Sequence, residues 1–132
     1  MQLIEEDMKF TLDKKDRYSV LKLEEENLNS LLAPDVKSEF VFLRNEGVKN
    51  LILDMSQVKY VDSSGLSAIL TANRLWNGFG AFVMTNVSHP AVKKLIEISR
   101  LQTILNIVPT LAESVDFVMM EELQKELSGE EE

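Results

Sequence analysis

Cysteine is absent from the chain, and histidine occurs once, at His89. The first absence excludes disulfides, thiolate catalysis and cysteine-ligated metals. The second leaves one imidazole for the whole protein, too few for a histidine-based transition-metal site. Basic residues are the minority: 14 Lys and Arg stand against 22 Asp and Glu, a net charge of −8. That balance argues against nucleic acid as a partner, because phosphate-backbone binding needs clustered cations. No apolar run approaches the roughly 20 residues of a membrane-spanning helix. The N-terminus, Met1-Gln2-Leu3-Ile4-Glu5-Glu6-Asp7, is acidic where a signal peptide carries a basic region. A cytoplasmic protein without direct membrane insertion is expected. Glycine is sparse, at five residues. There is no G-x-x-x-x-G-K-[ST] loop, and Gly78-x-Gly80 follows a helical segment instead of opening one, so neither nucleotide cradle is present. No cofactor is expected.

What remains is an ordinary globular composition, 45% apolar and 27% charged over 132 residues, enough for one domain with one core. Residues 1–132 read as a single domain with a core at about 8–120 and an acidic C-terminal tail at about 124–132. Three acidic clusters, Glu5-Glu6-Asp7, Glu24-Glu25-Glu26 and Glu130-Glu131-Glu132, read as solvated surface or as a face for a basic partner.

Along the chain, Lys9–Leu12 and Tyr18–Leu23 alternate apolar and polar residues, as two half-buried strands joined by a charged turn do. An irregular connection, Glu24 to Ala33, follows. Pro34 and Asp35 suit a first helical turn, Val36, Phe40 and Leu43 form a helical stripe, and Gly47 suits the position past the helix end. Val48, Leu51, Ile52, Leu53 and Met55 make a buried strand. Leu66, Ile69, Leu70, Asn73 and Trp76 predict the inward stripe of a second helix, ended by Asn77-Gly78-Phe79-Gly80. Ala81–Thr85 is another buried strand, and Ala91–Ser99 a third helix facing inward through Val92, Leu95 and Ile96. Ile104–Val108 is a last strand. Thr110 and Glu113 form a capping-box pair before a final helix whose predicted apolar face is Val115, Val118, Met119 and Leu123. Two opening strands followed by alternating strands and helices predict an α/β fold, a mixed, mostly parallel sheet packed against four to five helices.

Chemistry concentrates at Asp62-Ser63-Ser64-Gly65-Leu66, where a strand pattern gives way to a helical one. A helix N-terminus exposes unpaired N–H groups and tolerates an added anion. Ser63 or Ser64 is therefore a phosphorylation switch or an ordinary helix cap. A phosphate adds about −1.5 to −2 charges at pH 7, and a coupling of about 3 kcal/mol shifts a partner's affinity roughly a hundredfold. The outer side of the same helix carries Ser67, Ala68, Thr71, Ala72 and Leu75. That small, weakly polar surface would receive either another protein or a neighbouring helix of the same domain. A hydrolase would pair Ser63 with His89, but the G-x-S-x-G elbow is missing. Asp54 and Asp62 flank one loop and could meet a divalent ion; the commoner arrangement is two solvated loop acids.

The block Val58-Lys59-Tyr60-Val61-Asp62-Ser63-Ser64-Gly65-Leu66, followed by Ser88-His89-Pro90-Ala91-Val92-Lys93-Lys94-Leu95 and then Ile98-Ser99-Arg100-Leu101, resembles the signature of STAS domains, most of all bacterial anti-sigma factor antagonists. The resemblance covers roughly residues 8–120. It implies a STAS-type fold and a non-enzymatic, phosphorylation-switched module. Such a module in its unphosphorylated form binds a serine kinase that is also an anti-sigma factor, and frees the sigma factor. A PP2C-type phosphatase resets it. The phosphorylated residue of the family motif falls on Ser63, with Ser64 the second candidate. Asp62, Ser63, Ser64, Gly65, Ser67, Ala68, Thr71, Ala72 and Asn29 are the implied motif and partner-binding residues. The alternative is a STAS subunit of a membrane-transport or larger signalling complex with no phospho-switch. Two positions depart from the family pattern. The region Glu24-Glu25-Glu26-Asn27-Leu28-Asn29 lacks the family's glycine and has Asn29 where an aspartate would fall. Arg100 replaces a glycine.

Overall fold

The computed structural model describes residues 8–129. The opening alternation folds into an antiparallel hairpin of β1 (Phe10–Lys14) and β2 (Ser19–Leu23), with Phe10 opposite Leu23 and Lys14 opposite Ser19. Every later strand of the main sheet runs parallel to its neighbour, because each is reached through a helix. These are β4 (Leu51–Asp54), β6 (Phe82–Thr85) and β7 (Asn106–Val108), and the sheet order is β1-β2-β4-β6-β7. The crossovers carry α1 (Ala33–Asn45), α2 (Ser63–Trp76) and α3 (Pro90–Ser99); α4 (Leu111–Ser128) closes the chain. Among the described residues, four helices and one 3-10 turn, Leu101–Thr103, match the expected α/β architecture.

The two central strands, β4 and β6, are buried at every residue, as parallel strands covered on both faces must be. Side chains alternate between two cores. Leu51, Leu53, Phe82 and Met84 join Phe40, Ala68 and Trp76 beneath α1 and α2. Ile52 and Val83 join Val20, Ala81 and Val118 beneath α4. The larger core centres on three aromatics: Phe40 packs edge-on against Trp76 and Phe82, at centroid distances of 6.5 and 5.9 Å. The buried Trp76 donates its Nε1–H to the Val48 carbonyl at 2.9 Å, which satisfies the one polar atom an indole brings inside.

Three expectations are corrected. The connection read as irregular contains β3 (Asn27–Leu28), which pairs in parallel with β5 (Tyr60–Val61) as a separate two-stranded sheet. Two residues are too few for any periodicity to announce. The last strand is shorter than Ile104–Val108, because the chain is still turning at Ile104 and Leu105, whose N–H groups donate back to Leu101 O at 2.9 and 2.7 Å. The third correction is in α4. Met119 and Leu123 are exposed, and Ser114, Val118 and Glu122 hold the buried positions. The helix is rotated by Glu122, whose inward carboxylate accepts from Asn50 Nδ2 at 3.0 Å and from Arg17 Nη1 at 3.4 Å. A buried carboxylate needs such partners, and they dictate which side of the helix faces in.

The Thr110–Glu113 capping box is formed: the Glu113 N–H donates to Thr110 Oγ1 at 3.1 Å, and the Thr110 hydroxyl donates to Glu113 Oε1 at 2.9 Å. Helix α4 runs on to Ser128 and ends on left-handed Gly129, so the first part of the expected tail, 124–128, is helical. Glu5-Glu6-Asp7 and Glu130-Glu131-Glu132 lie outside the described residues. Arg100 ends α3 in the left-handed region, at φ +57°. That conformation costs a residue with a Cβ roughly 1–2 kcal/mol, and this explains why a glycine suits the position.

Candidate functional site

The small β3–β5 sheet builds the site. Glu26 O accepts from the N–H groups of Lys59 and Tyr60, at 2.7 and 3.1 Å, and Leu28 O accepts from the Asp62 N–H at 3.2 Å. This seam lays the loop before α1 against the first turn of α2, two segments more than 30 residues apart in sequence.

Asp62 is the helix cap. It is extended at φ −99° and ψ −172°, its Oδ1 accepts from the Gly65 N–H at 2.9 Å, and its carbonyl accepts from the Leu66 N–H at 2.9 Å. That decides one of the readings left open by the sequence. The cap belongs to the aspartate, so Ser63 and Ser64 follow as the first two helical residues. Among the described residues, neither serine hydroxyl makes a hydrogen bond. Ser63 is exposed and Ser64 half-buried.

Gly65 is required by close approach. A Cβ there would overlap the Leu28 carbonyl oxygen and lie 2.8 Å from Leu28 Cγ. We expect Gly65→Ala to cost about 2–3 kcal/mol, the scale of overpacking against a backbone that must move. It would part β3 from α2. Thermal melting of Gly65→Ala checks this; an unchanged midpoint would mean that the seam yields freely.

Asn29 closes a side-chain turn ahead of α1, a task an aspartate could perform equally. Its Oδ1 accepts from the N–H groups of Leu31 and Leu32, at 3.1 and 3.3 Å, and so orders the entry to α1. Beside it Leu31 stands 88% exposed, and Tyr60 of the adjoining β5 is 56% exposed. These two large exposed side chains stand next to Ser30 and two residues before Asp62, respectively, in the chain. A cleft of about 360 Å3 lies between the start of α1 and the start of α2, lined by Ser30, Pro34 and Lys37 on one side and by Ser63, Ser64 and Ser67 on the other. Lys37 and Leu31 were not singled out from the sequence. Nothing in the linear pattern distinguishes them, because the cleft exists only once α1 and α2 lie side by side.

The expected docking side of α2 is corrected at two positions. Ala68 and Ala72 are fully buried in the larger core, where α1 packs against α2. Their small size serves that helix–helix contact. Ser67 is exposed and Thr71 half-buried; the Thr71 hydroxyl donates to Ser67 O at 3.0 Å and accepts from Arg74 Nη2 at 3.3 Å. The inward stripe is accordingly Gly65, Ala68, Ile69, Ala72 and Trp76, with Leu66, Leu70 and Asn73 only partly covered.

His89 does not meet the serines. Its Nδ1 accepts from the Ala91 N–H at 3.3 Å, capping α3, and its ring packs 5.3 Å from that of Tyr60. Among the described residues no hydrogen bond joins it to Ser63 or Ser64, so no nucleophile–base pair is assembled. Asp54, expected as a solvated loop acid, is buried and accepts from the Ser56 N–H at 2.9 Å and from Asn86 Nδ2 at 3.3 Å. Asp54 and Asp62 each serve their own turn, and no group of three or more metal-ligating side chains occurs among the described residues.

The family model for the STAS domain matches residues 9–114. The chain belongs to the STAS domain family. Its fold resembles that of an anti-sigma factor antagonist from Mycobacterium paratuberculosis, at 18% identity and a TM-score of 0.77, over 86% of this chain and 95% of that one. It also resembles the Bacillus cell fate determinant SpoIIAA in its phosphorylated form, at 23% identity and a TM-score of 0.63, over 83% of this chain and 99% of that one. A third similar structure is the murine anion transporter Slc26a9, at 15% identity and a TM-score of 0.65. There the match takes in 82% of this chain but 18% of the transporter. Among curated proteins no sequence match is found. The match thus takes in nearly the whole of the first two chains and a small part of the third, and at these identities the structural likeness establishes the fold alone. No helix among the described residues is long and apolar enough to cross a membrane.

Proposed function

We propose that this STAS domain is an anti-sigma factor antagonist switched by phosphorylation of Ser63. In its unphosphorylated form it binds an anti-sigma factor that is also a serine kinase, and so frees a sigma factor. The observation that carries this reading is the division of labour at the α2 start. Asp62 supplies the cap, which leaves the Ser63 hydroxyl exposed, without a hydrogen bond, and at a helix N-terminus able to accept a phosphate. The kinase transfers the γ-phosphoryl group of ATP to Ser63 Oγ as the serine proton leaves. The docking face is formed by Leu31, Tyr60, Ser63 and Ser67, with Asn29 shaping the loop beneath Leu31. New charge beside Asp62 then repels an acidic partner surface without any large change in the domain. A PP2C-type phosphatase removes the phosphate. The protein acts in the cytoplasm and has no enzymatic activity of its own.

The likeness to an anion transporter's STAS portion supports a second reading, a constant subunit of a transport or signalling complex in which Ser63 stays unmodified. Intact-mass spectrometry of the protein from its native host, through growth, starvation and stress, separates the two. A species heavier by one phosphate, located on Ser63 or Ser64, is expected. In binding assays with the kinase, Ser63→Ala is expected to retain affinity and Ser63→Asp to lose it roughly a hundredfold, a coupling of about 3 kcal/mol. A single unmodified mass under every condition, with both variants binding alike, would leave the constant-subunit reading.

A further inference from the structure

We infer that Lys37 is the internal counter-ion of the phosphorylated serine, so that the phosphate is held in the cleft between α1 and α2 and does not merely project from the surface. The inference rests on Ser63 being the modified residue. Lys37 lines the same cleft as Ser63, Ser64 and Ser67. It is half-buried, yet among the described residues it makes no hydrogen bond and no ion pair. Lys125 and Arg44, likewise partly covered, spend their donors on the Phe79 and Leu75 carbonyls, whereas the Lys37 ammonium is left available to an anion in the cleft it lines. The cations with an acidic partner within 4 Å sit elsewhere: Lys15 with Asp13, Arg17 with Glu122 and Glu126, Lys49 with Glu122, and Lys59 with Glu26.

A phosphate on Ser63 needs such a cation. The Asp62 carboxylate lies one residue away and repels it, and the Gly65 N–H is already taken by Asp62. The hydroxyls of Ser30 and Ser67 lie along the same cleft and can donate to phosphate oxygens. Lys37 reaches the cleft from α1, so the phosphate ties α1 to α2. The unmodified domain shows a partner an unpaired cation beside Ser63. The modified domain shows it a neutralised lysine and a filled cleft.

The test is a phosphorus NMR titration of protein carrying phosphoserine at position 63, introduced during translation so that no kinase is needed. It is made in the wild-type background and with Lys37→Arg, Lys37→Gln and Lys37→Glu. The second pKa of the phosphate is expected to follow the charge at position 37. Wild type and Lys37→Arg should titrate together, Lys37→Gln about half a unit higher, and Lys37→Glu higher still, because a nearby positive charge favours the dianion. If all four titrate alike, Lys37 does not hold the phosphate and the inference falls, while the switch at Ser63 stands. If Ser63 is never phosphorylated in the native host, the switch falls and the titration series can still be read. The charge-ordered series does not depend on any one variant folding as well as the wild type.

Discussion

Ala68→Glu is expected to abolish the folded state. Ala68 is fully buried in the α1–α2 contact, within the core that holds Phe40, Leu53 and Trp76. A glutamate there adds four heavy atoms beyond Cβ to a close-packed seam, at about 1–3 kcal/mol for overpacking. It also brings a carboxylate into surroundings with no partner for it, which costs several kcal/mol more. A domain of this kind has about 5–15 kcal/mol in total, so the sum consumes most of it. Ser67→Glu, one residue earlier, is the contrast. Ser67 is exposed, and the melting midpoint should barely move, while binding to a partner on the serine face should weaken. Circular dichroism melts of both variants decide the matter. A cooperative Ala68→Glu transition near the wild-type midpoint would mean that α1 and α2 can separate at little cost. The consequence for function is practical: a lost interaction in Ala68→Glu would report unfolding, and only Ser67 and Thr71 probe this face of α2.

Asn50→Ala is the second substitution with a large expected effect. Asn50 is buried just before β4 and uses both ends of its amide. Nδ2 donates to Arg17 O at 2.8 Å and to Glu122 Oε2 at 3.0 Å, and Oδ1 accepts from the Ala81 N–H at 2.8 Å. One side chain therefore joins the β1–β2 turn, the edge of β4, the approach to β6 and α4. Truncation leaves a buried N–H, a carbonyl and a carboxylate short of partners. Each unsatisfied neutral group costs about 1–3 kcal/mol, and unpairing a buried charge costs 3–5 kcal/mol. The Arg17 guanidinium still reaches Glu122 Oε1 at 3.4 Å and the Lys49 ammonium stands 3.9 Å from Oε2, which limits the total to about 4 kcal/mol by the same reckoning. Urea unfolding of Asn50→Ala measures it. A loss under about 1 kcal/mol, the scale of a single neutral hydrogen bond, would show that water takes over the vacated positions.

The main strands and helices were readable from the sequence because each is long enough for its period to repeat. Val36, Phe40 and Leu43 recur at helical spacing and all three are buried. Ala81–Met84 is a continuous apolar run, and the strand it announces, Phe82–Thr85, is covered on both faces. Thr110 and Glu113 carry their capping box three residues apart. Errors arose where a position's surroundings come from distant segments. Met119 and Leu123 continue an apolar period along α4, but Glu122 outranks them, since Asn50 and Arg17 wait for a carboxylate on that side. Ala68 and Ala72 look like a bland outer face only while α1 is out of view.

At the site itself, Asp62-Ser63-Ser64-Gly65 was visible as a strand-to-helix turn, since the residue types that cap helices and accept modification are local choices. Which of them caps was settled by backbone geometry: Asp62 reaches the Gly65 N–H, and the serines are left over. The need for Gly65 comes from Leu28, 37 positions earlier, through a two-residue strand pairing with no sequence signature of its own. Lys37 enters the serine cleft only because α1 packs beside α2. The sequence by itself determined the order of elements, the class of fold and the chemistry available at the α2 start, because periodicity, capping and residue type act over a few positions. Tertiary structure alone decided which faces are buried, which hydroxyls are free and which cation stands beside them, because burial and charge pairing depend on neighbours that the linear chain keeps far apart.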